Sequence, residues 1–206
     1  MNKVLSALFA VFSIVFSTVG LSACAAESIS KNETETSKVE TVKSDSAKST
    51  VPTERAIFGA GCFWKVQYIM SKVPGVVKTS AGYTGGKIDN PTYEQVCSHT
   101  SGHVETVEVL FDPKKTTYHK LLEAFWANHD PTTLNRQGPD QGDQYRSVVF
   151  YTSPEQKAEA VKYKEELDAS HKFKKPIVTA IEPAKKFYNA EDYHQDYFVK
   201  TGQVCH

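Results

Sequence analysis

The chain has 206 residues, and its 24 Lys and Arg balance its 24 Asp and Glu, so the formal net charge is zero. This balance argues against a nucleic-acid-binding protein, which would be expected to carry a basic excess. Four cysteines are too few for a disulfide scaffold in a chain of this length. Composition therefore indicates an ordinary globular domain, and the function has to come from motifs.

The first residues have the pattern of a secretory signal. Lys3 is followed by an uncharged apolar run over residues 4–21 and then by Leu21-Ser22-Ala23-Cys24. This ending resembles a bacterial lipoprotein signal, in which the peptide is cut before the cysteine and the cysteine sulfur receives a lipid. We predict a signal peptide over residues 1–23, lipidation of Cys24 and a membrane-anchored location outside the cytoplasm. Ordinary signal cleavage and an uncleaved membrane anchor are the alternatives.

The next stretch, residues 24–52, is predicted to be a flexible tether. It holds no aromatic residue, it is dominated by Glu, Lys, Ser and Thr, and no apolar period is visible. Such a segment cannot bury enough surface to offset the entropy of ordering it. The folded domain is therefore expected over residues 53–206.

Within this domain, strand and helix patterns alternate. Apolar runs and alternation predict strands, and apolar residues at helical spacing predict helices. The predicted strands cover residues 55–60, 76–83, 104–111, 145–151 and 176–182, and the predicted helices cover 62–73, 118–129 and a segment that begins at Ser153-Pro154. The order β-α-β-β-α-β over residues 55–151 predicts an α+β fold, a two-layer α/β sandwich with a ferredoxin-like split βαβ core.

Cys62 is the first candidate for chemistry. It follows Gly59-Ala60-Gly61 at the predicted start of a helix, where free N–H groups and the helix dipole favour an anion. The position predicts a nucleophilic thiol with a lowered pKa, and the small residues before it would let another molecule approach. The alternative is a buried, inert cysteine. Phe63 and Trp64 follow Cys62 directly. They are interpreted either as core residues or as an aromatic cage for a small apolar group.

Gly61-Cys62-Phe63-Trp64 resembles the active-site motif of the peptide-methionine (S)-S-oxide reductases, the A-type methionine sulfoxide reductases. Other blocks resemble the same family and occur in its order. These blocks are AGYTGG at 81–86, NPTYEQVC at 90–97, GHVE at 102–105, HDPT at 129–132, NRQG at 135–138, DQG at 140–142, QYRS at 144–147 and AEDYHQ at 190–195. The resemblance therefore covers nearly all of residues 55–205.

The resemblance implies a role for each matching residue. Cys62 would attack the sulfoxide sulfur, and Glu105 would protonate the departing oxygen. Glu105 shares a strand face with apolar residues, so we expect it to be buried with a raised pKa. Tyr93 and Tyr145 would donate hydrogen bonds to the sulfoxide oxygen, and Asp140 would complete the polar side.

Phe63 and Trp64 would hold the methyl group of the sulfoxide, and a pocket with one polar and one apolar wall can select one epimer. The family implies no metal and no organic cofactor.

Lys65 departs from the family, which commonly has a small residue at this position. Its side chain either points to solvent, the interpretation we favour, or lowers the pKa of the Cys62 thiol. A zinc site at Cys97-Ser98-His99 with His103 lacks a convincing fourth ligand.

Attack by Cys62 would leave a sulfenic acid, which a second thiol can convert to a disulfide. Cys24 is predicted to be lipidated, and Cys97 to be a small buried residue. Cys205 resembles the first C-terminal recycling cysteine of the family, although residues 201–204 depart from the usual sequence. We predict a Cys62–Cys205 disulfide opened by a thioredoxin-like reductant; the alternative is a tail thiol with no role.

The expected partners are proteins or peptides that contain methionine sulfoxide, and the expected form is a monomer. Two other functions remain open from the sequence. One is a lipid-tethered binding module without catalysis, and the other is a thiol peroxidase that would also use Cys62.

Overall fold

A computed structural model describes residues 52–203. The predictions for the signal peptide, for Cys24, for the tether up to residue 51 and for Cys205 lie outside these residues. Among residues 52–203, no helix combines the length and the apolar character that crossing a bilayer requires.

The described residues build one large sheet and a small hairpin. The strands are β1 (Glu54–Gly59), β2 (Val76–Thr84), β3 (Val104–Phe111), β4 (Arg136–Gln137), β5 (Asp140–Gln141), β6 (Val148–Tyr151), β7 (Ala180–Pro183) and β8 (Tyr188–Asn189). Six of them form a sheet in the order β7-β6-β1-β3-β2-β8, while β4 and β5 pair only with each other. All neighbours in the sheet are antiparallel except β6 and β7.

Within residues 52–203, five helices accompany the sheet. They are α1 (Phe63–Ser71), α2 (Tyr93–Cys97), α3 (Tyr118–Ala127), α4 (Pro154–Ala169) and α5 (Tyr197–Thr201), with single 3₁₀ turns at Asp143–Tyr145 and Asp192–His194. The predicted start of α4 is confirmed: Ser153 caps it by accepting the N–H of Gln156, and Pro154 is the first helical residue.

The main core lies between the sheet and helices α1, α3 and α4. It contains Phe58 from β1, Met70 from α1 and Leu122 and Trp126 from α3, all of them buried. A smaller apolar cluster around Ile57 and Phe150 includes strand residues whose side chains lie on the other face of the sheet. The predicted class, an α+β protein with helices on a central sheet, is confirmed, and β7 and β8 extend the sheet beyond the four strands of the predicted core.

Several segments differ from the prediction. Residues 145–147 are not strand, because Gly142 starts a 3₁₀ turn that is closed by hydrogen bonds from Tyr145 N–H and Arg146 N–H. The last predicted strand begins at Ala180 rather than at residue 176. The elements with no predicted counterpart are α2, the β4–β5 hairpin, β8 and α5, since elements of two to five residues carry too little pattern.

Candidate active site

Cys62 is the N-cap residue of α1, at the point where β1 leads into the helix. The preceding Gly61 has a φ of +85°, a conformation that a side chain disfavours. A Cβ at Gly61 would also lie 2.6 Å from the Cβ of Gln137. The glycine therefore allows the turn and lets the β4–β5 hairpin pack directly against it, rather than leaving space for another molecule.

The thiol of Cys62 is half-buried, and the backbone N–H groups of Trp64 and Lys65 at the start of the helix favour its thiolate form. Burial, followed by the nearby carboxyl group of Glu105, raises the pKa of the thiol to about 12 in spite of this effect. The predicted lowering of this pKa is therefore wrong. The first turn of the helix does stabilise a thiolate, but desolvation and the neighbouring carboxylates of Glu105 and Asp140 outweigh it.

Glu105 lies on β3 opposite Tyr83 of β2, and its side chain is turned into the core, with only 2% of the residue exposed. Its Oε2 accepts the N–H of Phe63 at 3.1 Å, so the carboxyl group reaches the residue next to Cys62. Burial raises the pKa of Glu105 to about 8, and the charge of Asp140 acts in the same direction. Both expectations for Glu105, burial and a raised pKa, are confirmed, and the group is mainly protonated at neutral pH.

The two predicted phenols lie near the same carboxyl group. Tyr93 is the first residue of α2, Tyr145 belongs to the 3₁₀ turn after the β4–β5 hairpin, and both are half-buried. Burial raises the pKa of each phenol, and Glu105 contributes to both shifts, so the hydroxyls remain proton donors. Asp140 lies on the hairpin, and burial raises the pKa of its carboxyl group too.

A cleft of about 430 Å³ opens beside Cys62, and Trp64, Lys65, Asp140 and Phe198 also line it. Phe63 is only 1% exposed and packs in the core, so it is Trp64 that lines the cleft. Lys65 borders this space, yet its ammonium charge is not among the causes that shift the pKa of Cys62. The structure thus places Cys62, Trp64 and Asp140 on the cleft, with Phe63 behind its wall. Glu105 reaches the backbone next to Cys62 from the core, and Tyr93 and Tyr145 lie near Glu105 but do not line the cleft.

Cys97 and His103 have structural partners of their own. Cys97 is half-buried rather than buried, and its thiol lies close enough to the side chain of Tyr93 for each to influence the pKa of the other. Both ring nitrogens of His103 contact the backbone of the preceding loop, Nδ1 receiving the N–H of Gly86 at 3.3 Å and Nε2 lying 2.8 Å from the carbonyl oxygen of Ile88. His103 therefore braces the loop that leads into α2.

Residues 190–201, which we call the C-terminal segment, hold contacts that the sequence analysis did not assign. Glu191 accepts the hydroxyl of Tyr83 at 2.8 Å and the backbone N–H of Tyr93 at 3.0 Å. Gln195 accepts the N–H of Ala81 at 2.9 Å and donates to the carbonyl oxygens of Ala81 and Ala190 at the same distance. The only signal for these residues in the sequence was the AEDYHQ block at 190–195.

A thiol at a helix start, a protonated acid beside it and two phenols define a cysteine-based enzyme with its own general acid. The comparison with known proteins identifies the family. Residues 54–206 match the family model described as peptide methionine sulfoxide reductase.

The chain is 59% identical over 149 residues to the peptide methionine sulfoxide reductase MsrA of Methanoculleus marisnigri, covering 72% of this chain and 91% of that one. It is 56% identical over 149 residues to the protein of the same name from Geobacter sulfurreducens, covering 72% and 92%. Two solved structures are also similar. Reduced Mxr1 from Saccharomyces cerevisiae has 34% sequence identity and a TM-score of 0.69, and the match covers 77% of this chain and 93% of that one. Methionine sulfoxide reductase A of Corynebacterium diphtheriae has 37% sequence identity and a TM-score of 0.65, and the match covers 74% of this chain and 77% of that one. The chain belongs to the peptide methionine sulfoxide reductase family.

Proposed function

We propose that Cys62 performs the reaction of this family, the thiol-dependent reduction of methionine sulfoxide to methionine. In the balanced step, the thiol and the sulfoxide give a Cys62 sulfenic acid and methionine, so the oxygen leaves the substrate and ends on Cys62. The observation that carries the proposal is the protonated carboxyl group of Glu105, which reaches the backbone next to the thiol.

Glu105 supplies the proton that this reaction needs. A sulfoxide oxygen leaves its sulfur only when its developing negative charge is neutralised, and a carboxylic acid with a pKa of about 8 still holds its proton at neutral pH. As the Cys62 sulfur attacks, the proton of Glu105 passes to the oxygen and the thiol proton replaces it on the carboxylate. The raised pKa of the thiol fits this exchange, because the thiol loses its proton only as that carboxylate forms.

Tyr93, Tyr145 and Asp140 form the polar wall, and the phenols donate hydrogen bonds to the sulfoxide oxygen. Trp64 forms the apolar wall against the methyl group, backed by Phe63, which packs 6.4 Å from it between ring centres. With the oxygen and the methyl group held on opposite sides, only one arrangement at sulfur presents its reactive face to Cys62. The resemblance to the peptide-methionine (S)-S-oxide reductases supports the (S) epimer as that substrate, in peptides and as the free amino acid.

Recycling is assigned to Cys205. The sulfenic acid on Cys62 and the thiol of Cys205 condense to a disulfide and water, and the dithiol of a thioredoxin-like reductant then reduces the disulfide. Gln203 lines the cleft beside Cys62, which supports this assignment. Cys205 follows only two residues later, a span of about 7 Å in an extended chain.

The direct test is turnover of separated methionine sulfoxide epimers by the full chain with dithiothreitol. We expect reduction of the (S) epimer only, and none by a Cys62→Ser variant. Reduction of peroxide without reduction of either sulfoxide would favour the thiol peroxidase alternative, and binding of a sulfoxide peptide without turnover would favour the silent binding module.

The recycling step has a separate test. A Cys205→Ser variant should release one equivalent of methionine and then stall with thioredoxin as reductant, while dithiothreitol restores turnover. Disulfide mapping after one equivalent of substrate should give the Cys62–Cys205 peptide. Full turnover of the variant with thioredoxin, or a Cys62–Cys97 linkage in the map, would contradict the assignment.

The N-terminal pattern supports a location of this activity at the membrane, outside the cytoplasm, with a lipid on Cys24 and residues 25–52 as a tether. Mass spectrometry of the membrane fraction should find a lipidated N-terminal Cys24, and limited proteolysis should release an active domain that begins near Thr53. An unmodified Cys24 in that fraction would rule out the lipid anchor.

A further inference from the structure

His194 lies at the centre of the aromatic residues of the site, although no role has been assigned to it. It ends the 3₁₀ turn of the C-terminal segment and is only 2% exposed. The centre of its ring lies 4.9 Å from that of Phe63, 4.7 Å from that of Tyr93 and 5.6 Å from that of Trp64. One imidazole therefore contacts residues of both the polar and the apolar wall.

The hydrogen bond between His194 and Trp64 fixes the protonation of the imidazole. Trp64 Nε1 lies 3.0 Å from Nδ1 of His194, and an indole nitrogen is only a donor. Nδ1 must therefore be unprotonated, and the ring proton of the neutral imidazole is on Nε2. This second nitrogen has no hydrogen-bond partner among the described residues, and Oε2 of Glu191 lies 3.9 Å away from it. Burial lowers the pKa of His194, which also favours the neutral ring.

The stacking partner of Trp64 leaves one motion of the indole free. Tyr197 lies parallel to it, with 3.8 Å between ring centres and an interplanar angle of 10°. Stacking fixes the plane of a ring, but a half-turn about the Cβ–Cγ bond returns the indole to the same plane with its two edges exchanged. The bond from Nε1 to His194 is made in only one of these two orientations, so it determines which edge of the indole faces the cleft.

We propose that His194 is a positioning residue for substrate binding: by accepting the indole N–H, it holds Trp64 in the orientation that receives the methyl group of the sulfoxide. This rests on the proposed function, in which Trp64 forms the apolar wall. His194 itself acts through Trp64 and exchanges no proton with the substrate.

The test compares two substitutions in the full chain. His194→Phe keeps an aromatic ring but removes the acceptor, and His194→Asn keeps an acceptor near the position of Nδ1. For the (S) epimer in a peptide, His194→Phe should raise KM by about five- to ten-fold, the effect of one lost hydrogen bond, with kcat within about two-fold of the wild type. His194→Asn should recover most of this loss. Tyr193→Phe, in the same turn but 59% exposed, is the matched control and should leave KM unchanged.

A double-mutant cycle separates positioning from a general structural role. In a Trp64→Phe background no indole N–H remains, so His194→Phe should change KM by less than about two-fold. An equal effect of His194→Phe with and without Trp64 would overturn the proposal. So would a KM within about two-fold of the wild type for His194→Phe alone.

A spectroscopic measurement keeps the proposal testable if the proposed function fails. The chain has two tryptophans, so the emission of the Trp64→Phe variant gives the contribution of Trp126 alone. After subtraction, the anisotropy of Trp64 should decay faster in His194→Phe than in the wild type or in His194→Asn. Identical decays would overturn the proposal whether or not the wild type reduces sulfoxides.

Discussion

The two sides of the cleft are held in place by different kinds of interaction. Cys62 and Glu105 are placed by the backbone, the first by the start of α1 and the second by the register of β3 against β2. The Trp64 wall is held by side chains of the C-terminal segment, through a hydrogen bond to His194, 130 positions away in the sequence. The reacting groups are therefore expected to tolerate most distant substitutions, whereas the binding wall depends on a few side chains.

The largest effect is expected from removing the thiol. Cys62→Ser should lower the rate of sulfoxide reduction by more than about 1,000-fold, because a hydroxyl is a far weaker nucleophile at neutral pH. Cys97→Ser makes the same chemical change at the other cysteine that the structure describes, and it should retain activity. Ordinary turnover by Cys62→Ser would show that this side of the cleft is not the reacting side.

The second effect tests the acid on the same side. Glu105→Gln should slow reduction by about 100- to 1,000-fold, since the amide keeps an acceptor for the N–H of Phe63 but has no proton to give. In the wild type, the acid form is lost as the pH rises through about 8, so the rate should fall there. The variant should show no fall at this pH. A wild-type rate that is flat between pH 6 and 10 would contradict the role of Glu105.

These reacting residues are also the ones that the sequence predicts best. The position of Cys62 follows from a glycine-rich turn before an apolar helix, and the burial of Glu105 follows from the apolar residues at alternate positions of its strand. The pKa of Cys62 could not be predicted, because it depends on burial and on a carboxyl group that comes close only in the folded chain. The position of Tyr145 was predicted wrongly as strand, since a short turn next to a strand leaves no distinct pattern.

The binding wall was harder to predict for a physical reason. His194 and Tyr197 act on Trp64 through contacts between residues far apart in the sequence, and no local period records such contacts. The family resemblance marked residues 190–195 as a matching block, but it carried no statement of what Glu191 or Gln195 holds.

The third prediction addresses the attachment of the C-terminal segment. Gln195→Ala removes three hydrogen bonds to the backbone of Ala81 and Ala190 and should lower the free energy of unfolding by about 2 kcal/mol. Hydrogen exchange of residues 190–201 should become faster, while exchange in β3 changes less. Gln203→Ala, at an exposed glutamine that follows the segment, is the matched control. Equal protection in Gln195→Ala and the wild type would show that the segment is held by other contacts.

The last expected effect is a gain in stability. The pKa of Glu105 rises from an ordinary value of 4.5 to about 8 on folding, so between these values the folded state keeps a proton that the unfolded state has released. The free energy of unfolding therefore falls as the pH rises through this window. Glu105→Gln removes this pH-dependent penalty. The free energy of unfolding of the variant minus that of the wild type should therefore be larger at pH 8 than at pH 4, by at least about 1 kcal/mol. Urea titrations at the two pH values check the sign.

The raised pKa of the Cys62 thiol has a consequence for the survival of the enzyme. Because burial raises the pKa of this thiol far above neutral pH, very few molecules carry a thiolate at pH 7 when no substrate is bound. Oxidants and alkylating agents attack thiolates, and repeated oxidation of a cysteine ends in irreversible sulfinic and sulfonic acids. An enzyme that repairs oxidised methionine works where such agents are abundant. Because its thiol stays protonated until a sulfoxide binds, the enzyme is protected from oxidation of its own catalytic cysteine.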